Sequence, residues 1–263
     1  MKLRSVLLLG ATLSMVLFQN CRKEKADIIP TITVDTTTHE EAHWNYEQPE
    51  TWGGVSGDCQ GVIQSPIDIN TFATLKAVLP PLEFNYNDFP ISIIDNGHTI
   101  QVNTNTSDAV NTVTYNGKQY KLKQFHFHAK SEHTINGYHT PMEMHLVHAN
   151  DDGEIMVVGL MIEQGDTPNA LIDAVWSNLP GEKMHEHTTG TYINLNTILP
   201  LSPGYFNYIG SLTTPPCSMG LQWMVMKTPV KLSADQIATF RALYDHNYRP
   251  TQKLNNRIVY EKN

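Results

Sequence analysis

Basic residues are scarce in this chain. Eighteen Lys and Arg stand against 26 Asp and Glu among 263 residues, a net charge of −8, and they form no cluster. An acidic chain without a basic face excludes nucleic acid as a partner. Long apolar runs are scarce too. The sustained one, Ser5 to Phe18, is too short to span a bilayer as a helix. Placed directly behind Lys2 and Arg4, it reads as the core of a signal peptide over residues 1–20 rather than as a short buried helix. Cysteine is rarer still, with only Cys21, Cys59 and Cys217, too widely spaced to suggest a cysteine-ligated structural metal. No internal repeat is visible, and 40% hydrophobic with 17% charged residues excludes collagen, coiled-coil and disordered classes.

The three cysteines carry a second message. Cys21 directly follows the apolar run, as in a bacterial lipoprotein signal where that cysteine is acylated, although Leu17-Phe18-Gln19-Asn20 lacks the usual small residue before it. Lipidation at Cys21 is the expectation, and an ordinary secretory signal is the alternative. An acyl anchor holds a protein on a membrane without a spanning helix. With Cys21 so used, Cys59 and Cys217 remain as an even pair, which an exported chain can oxidise. A Cys59–Cys217 disulfide is expected, against two unpaired buried thiols. Removal of residues 1–20 takes two of the 18 basic residues and no acidic one, moving the net charge from −8 to −10. Residues 21–42 are polar, carry Thr33 and Thr36 to Thr38, and show no periodicity, so they read as a tether. Residues 43–263 show no composition break and read as one domain, periplasmic or at the cell surface.

Within that domain, short β-prone stretches alternate with turn signals at Asn96-Gly97, Asn116-Gly117, Asn136-Gly137 and Asp152-Gly153. Ile155 to Ile162 is nearly unbroken apolar sequence, as in a strand buried on both faces. Two helices are expected: Thr167 to Asn178, capped by Thr167 with Pro168 in the first turn, and Ser233 to Tyr244, opened by Ser233 with Asp235 and Gln236 behind it. The fold class is mainly β (α+β), a single domain with a few short peripheral helices.

The chemistry concentrates in Gln124-Phe125-His126-Phe127-His128. Alternate side chains of a strand share a face, so His126 and His128 point one way and the two phenylalanines the other. In Glu143-Met144-His145-Leu146-Val147-His148, the residues Glu143, His145 and Val147 share a face and His148 falls on the opposite one, as a core histidine. If the two strands are neighbours, His145 completes a set of three. Three neutral imidazoles with a fourth position open are the pattern of catalytic zinc. Gln124 and Glu143 each precede a histidine by two residues on its own face, where they can hold that imidazole's outer nitrogen. The alternative for the first pair alone is two surface or hydrogen-bonded histidines.

These segments, with Ser131-Glu132-His133-Thr134 and Ser211-Leu212-Thr213-Thr214-Pro215-Pro216-Cys217, resemble the active-site core of α-class carbonic anhydrases. His43-Trp44 with Tyr46, Gln64-Ser65-Pro66-Ile67-Asp68-Ile69, Asn96-Gly97-His98, Asn247-Tyr248-Arg249-Pro250 and Asn256-Arg257 extend the resemblance, in the family's order, over roughly residues 43–259. It implies a large twisted, mostly antiparallel central sheet bearing zinc, and cis bonds at Ser65-Pro66 and Pro215-Pro216. It implies zinc-hydroxide hydration of carbon dioxide to bicarbonate, with His126, His128 and His145 as the zinc ligands.

Other roles follow from the same resemblance. Thr213 accepts a hydrogen bond from the nucleophile and donates one to Glu132. His98 shuttles protons, as a side chain titrating near neutrality can, and Tyr46, Asn96 and Gln101 line its water path. Val147, Val157, Leu212, Thr214 and Trp223 form the pocket for apolar carbon dioxide. Read alone, Thr213 is a turn threonine, Glu132 a surface carboxylate, His98 a loop histidine and the pocket residues ordinary core. Two departures stand out: Asn45 where the family usually carries glycine, and Ala129 where tryptophan is common. His185 and His187 lie in a polar segment and read as exposed. The rival functions are a non-catalytic surface binding lipoprotein, a zinc esterase and a zinc scavenger. Oligomeric state is left open, a homodimer included.

Overall fold

The computed structural model describes residues 43–104 and 111–263. The signal peptide, the tether and the acylation of Cys21 lie outside the described residues. The alternating pattern resolves into strands β1 (Asp68–Ile69), β2 (Leu75–Lys76), β3 (Glu83–Asn85), β4 (Phe89–Asp95), β5 (Ile100–Asn103), β6 (Thr112–Tyr115) and β7 (Lys118–His128). It continues with β8 (Thr134–Ile135), β9 (Met142–Ala149), β10 (Ile155–Gln164), β11 (His187–Ile193), β12 (Tyr205–Ser211), β13 (Met219–Leu232) and β14 (Tyr260–Lys262). Two α-helices accompany them among the described residues, α1 (Ala170–Trp176) and α2 (Ala234–Leu243).

Twelve strands form one sheet in the order β11-β4-β5-β7-β9-β10-β13-β12-β14-β2, with β6 pairing on β7 and β3 on β6. Its pairings are antiparallel except β10 with β13 and β14 with β2, as the expected mostly antiparallel sheet requires. A separate parallel pair joins β1 to β8. The turn between β6 and β7 places Asn116 at φ 50° and Gly117 at φ 75°, the positive values that a tight hairpin turn demands. Ser65–Pro66 and Pro215–Pro216 are both cis.

The sheet buries apolar clusters on both faces. On one, Phe125, Phe127, Met144 and Leu146 pack with Ile91, Ile93, Val102, Met156 and Val158. On the other, Val157 and Met161 join Ile67, Phe206, Tyr208, Trp223 and Val225. Strand β10 lies between β9 and β13 and contributes to both clusters. That two-sided burial is why its sequence is apolar without alternation.

Helix α2 begins as expected, with Ser233 and Gln236 forming a capping box. Helix α1 begins later than Thr167 and Pro168 suggested. The Asn169 side chain accepts from the backbone N–H groups of Leu171 and Ile172, so Asn169 is the cap. The reason is tertiary: the Gln236 side chain accepts from Asn169 N–H and donates to its carbonyl, pinning the helix start against α2.

Cys59 and Cys217 are joined in a disulfide across 158 residues. It ties the short 3-10 turn Gly57–Gln60 to the segment that carries Thr213. Closing so long a loop restricts the unfolded chain, and reduction is expected to remove about 2–5 kcal/mol of stability. Denaturant titration with and without reductant checks this. An unchanged midpoint contradicts it.

Candidate metal centre

Antiparallel pairing of β7 with β9 sets His126 directly opposite His145. His128, two residues on, shares their face, and ring centroids lie 5.0 Å apart for His126–His128, 5.2 Å for His126–His145 and 4.6 Å for His128–His145. One nitrogen from each falls within 4.8 Å of the others. Phe125 and Phe127 point into the core behind, so strand alternation alone separates the polar face from the apolar one.

Each imidazole is held through its outer nitrogen. His126 Nδ1 donates to Gln124 Oε1 at 2.8 Å, and His145 Nε2 to Glu143 Oε1 at 2.9 Å. His128 Nδ1 donates to the Asn247 carbonyl at 2.6 Å. The acceptors fix each tautomer and leave one lone pair per ring facing the other two. His128 Nε2 is buried with no hydrogen-bond partner. Burial, with the neighbouring imidazoles, pushes His126 well below its ordinary pKa, His145 lower and His128 to about 3. Three neutral nitrogen donors and an orphaned buried lone pair fit a zinc ion, which takes neutral imidazole in a tetrahedral set with a fourth position free.

Glu143 neighbours His133 and His145 and forms a second group of metal-ligand type with them. Its lone pairs are already used. Oε1 accepts from His133 Nδ1 at 2.7 Å as well as from His145, and Oε2 from the backbone N–H groups of Glu132 and His133, each at 2.8 Å. Burial opposes its ionisation, but His133 and His145 outweigh that and hold it well below the usual carboxylate range. Its four donors mark it as an anchor for side chains.

Glu132 is fully buried beside the triad, its Oε2 lying 3.5 Å from His128 Nε2. Its Oε1 accepts from the Arg249 backbone N–H at 2.8 Å, while Oε2 has no partner of ordinary hydrogen-bond length. Burial pushes this carboxyl well above its usual range, opposed first by that N–H and then by the nearby Thr213 hydroxyl.

His98 is half-buried, and its ring stacks on Trp44 at 3.7 Å with 7° between planes. Burial, then His43 and Lys183, lower its pKa and favour the neutral ring. Asn96 Oδ1 accepts from the His98 and Thr99 N–H groups and thereby shapes the loop. Asn96 Nδ2 reaches Gln101 Oε1 at 3.3 Å, and Gln101 lies opposite His126 in the β5–β7 ladder. Burial, then the Glu132 carboxyl, push the Tyr46 hydroxyl well above 10.

The five pocket residues fall together less evenly. Val147 and Val157 are cross-strand partners, and Val157 also opposes Trp223. With Leu212 they form one apolar cluster whose Trp223 ring is 4.9 Å from the His145 ring. Thr214 is half-buried and accepts the Cys217 N–H on its carbonyl, closing the turn after Thr213. Both departures are absorbed locally. Asn45 accepts from Glu47 N–H and Trp52 Nε1, and Ala129 is buried and donates to Asn247 Oδ1 at 2.8 Å. His148 is buried on the opposite face against the Tyr86 hydroxyl, as the strand parity required, and His185 and His187 are exposed.

Asn247 and Arg249 stood in a matching motif without a role in the sequence reading. Asn247 holds His128 through its carbonyl and the carbonyl oxygens of His98 and Phe127 through its amide. Beyond its N–H bond to Glu132, Arg249 reaches Gln64, Ser65 and Cys59 with its guanidinium.

The chain is similar to known proteins over most of its length. Residues 47–263 match the model of the eukaryotic-type carbonic anhydrase family. A carbonic anhydrase of Klebsiella pneumoniae is 45% identical over 228 residues, covering 84% of this chain and 91% of the relative. One from Neisseria gonorrhoeae is 38% identical over 233 residues, covering 83% and 88%. The α-carbonic anhydrase of Thermovibrio ammonificans, solved with the inhibitor sulfanilamide, superposes with TM-score 0.78 at 41% identity, covering 83% of this chain and 98% of that one. That of Photobacterium profundum gives 0.77 at 38%, covering 83% and 100%.

Proposed function

Because the chain belongs to the α-class, eukaryotic-type carbonic anhydrase family of lyases, we propose that it interconverts carbon dioxide and bicarbonate with one zinc ion held by His126, His128 and His145. The observation that carries this reading is the convergence of three neutral imidazole nitrogens within 4.8 Å, each ring locked from behind. Zinc in such a set lowers the pKa of a coordinated water to about 7, a value known from carbonic anhydrase itself, and so supplies hydroxide at neutral pH.

The chain's own groups do the rest. Glu132 as a carboxylate only accepts, so the Thr213 hydroxyl donates to it and keeps its lone pairs for the nucleophile's proton. That orients the attacking lone pair toward the substrate carbon. A divalent charge at the triad opposes the burial that raises Glu132. Val147, Val157, Leu212 and Trp223 offer an oily wall beside His145, suited to a small apolar substrate. His98 accepts the released proton through water and passes it to buffer, with Tyr46, Asn96 and Gln101 lining the route. The disulfide supports an exported destination, with Cys21 as the proposed point of lipid attachment.

Stopped-flow hydration of carbon dioxide, paired with metal analysis before and after chelation, tests this. Fast turnover lost with the zinc and restored by it is expected. Zinc at one per chain without hydration contradicts the catalytic reading. In the same assay His98→Ala is expected to keep its zinc and to slow by about a hundredfold in dilute buffer, the lower end of what positioned proton transfer supplies. Concentrated imidazole-type buffer should restore the rate. Failure to do so removes His98 from the proton path.

A further inference from the structure

Ser65, Tyr208 and His133 form a buried chain of hydrogen bonds that ends on Glu143, and the reaction outlined above gives none of them a part. All are at most 1% exposed. Glu143 accepts only, so His133 carries its proton on Nδ1, 2.7 Å from Glu143 Oε1. The other ring nitrogen, Nε2, then accepts from the Tyr208 hydroxyl at 2.7 Å. Having donated its one proton there, Tyr208 accepts from Ser65 Oγ at 2.8 Å. Ser65 and Ser211 are bound reciprocally, each side-chain oxygen accepting the other's backbone N–H, at 3.0 and 2.8 Å. Every side-chain proton from Ser65 to His133 is thus directed toward Glu143. Gly210 makes room for this: a Cβ there would stand 2.1 Å from Ser65 Oγ and 2.8 Å from Tyr208 Cε2.

We infer that Tyr208 is a positioning residue for the metal, acting through His133 and Glu143 on His145. The inference rests on the zinc reading of the triad. Without the Tyr208 hydroxyl, His133 Nε2 is a buried acceptor with no donor. The ring is then held from one side only, so it can turn about its Nδ1–H bond to Glu143 Oε1 and that bond loosens. That oxygen is the one that holds His145, so the ligand loses its fixed orientation. The chain also binds at its far end to Ser211, two residues before Thr213, and Ser211 Oγ donates to the Leu212 carbonyl at 2.7 Å. Ligand and gate segment thereby share one hydrogen-bonded support.

The test is zinc release from the full-chain holoenzyme into a chromophoric chelator. Tyr208→Phe is expected to release zinc about tenfold faster, at the lower end of what changes behind a metal ligand cost. Nitrogen-15 spectra of the imidazoles should show His133 as the Nδ1–H tautomer in both proteins, with its Nε2 signal moved downfield in the variant, where that nitrogen no longer accepts a hydrogen bond. Tyr205→Phe is the control. Tyr205 lies on the same strand, is equally buried and donates to the Pro80 carbonyl at 2.6 Å, outside the chain. It should release zinc at the parent rate. Should Tyr208→Phe not fold, Ser65→Ala, one step further out, is expected to accelerate release in the same direction but less. Parent-like release from the chain variants, or equal acceleration in Tyr205→Phe, overturns the positioning role. A parent protein that holds no zinc overturns the metal reading itself, which separates the two failures.

Discussion

Replacing His145 with alanine is expected to abolish zinc retention and carbon dioxide hydration while leaving the sheet folded. A changed support behind a ligand typically costs 10- to 100-fold in metal affinity or activity. Removing one of three ligands should exceed that range, because two imidazoles on one strand cannot complete a tetrahedral site. The fold should survive because Glu143 keeps three of its four donors, His133 Nδ1 and two backbone N–H groups, and is not left a bare buried charge. The comparison is His148→Ala on the same strand. His148 is just as buried but faces the opposite side, against Tyr86. It should lose some stability and keep its zinc. Metal analysis after gel filtration, with circular dichroism for folding, separates the cases. About one zinc per chain in His145→Ala would refute the ligand set.

That pair of variants also marks what the sequence could and could not tell. Strand alternation is a local rule, so the faces of Phe125, His126, Phe127, His128, His145 and His148 were readable from their order alone. The supports at Gln124 and Glu143 were readable for the same reason, since each lies two residues from its histidine. The Asn247 carbonyl that holds His128 is 119 residues away in sequence, and the Arg249 N–H that holds Glu132 is 117 away. No spacing rule reaches so far, and a backbone carbonyl or N–H carries no residue-type signal. The early start expected for α1 failed in the same way. Thr167 and Pro168 look like a cap and first turn locally, but Gln236 on the other helix engages Asn169 and fixes the cap there. Contacts that cross the fold decided both cases.

Glu132→Gln is expected to keep its zinc and to slow hydration by about 10²- to 10³-fold, the range measured when one preorganised polar group at a transition state is removed. The substitution preserves shape and changes only which atoms donate. The Arg249 N–H, 2.8 Å from Oε1, requires an acceptor at that position. A glutamine meets it by placing its carbonyl oxygen there, which sends its NH2 group to the Oε2 side, toward Thr213. An NH2 group donates and does not accept. The Thr213 hydroxyl must then accept from residue 132 and turn its own proton into the site. It would compete for the nucleophile's lone pair instead of accepting its proton, so the gate is reversed with its geometry intact. The three imidazoles and their outer partners are untouched, so metal content should not move. Hydration within about twofold of the parent rate, with zinc in place, would show that the direction of the Thr213–Glu132 hydrogen bond does not matter to the reaction.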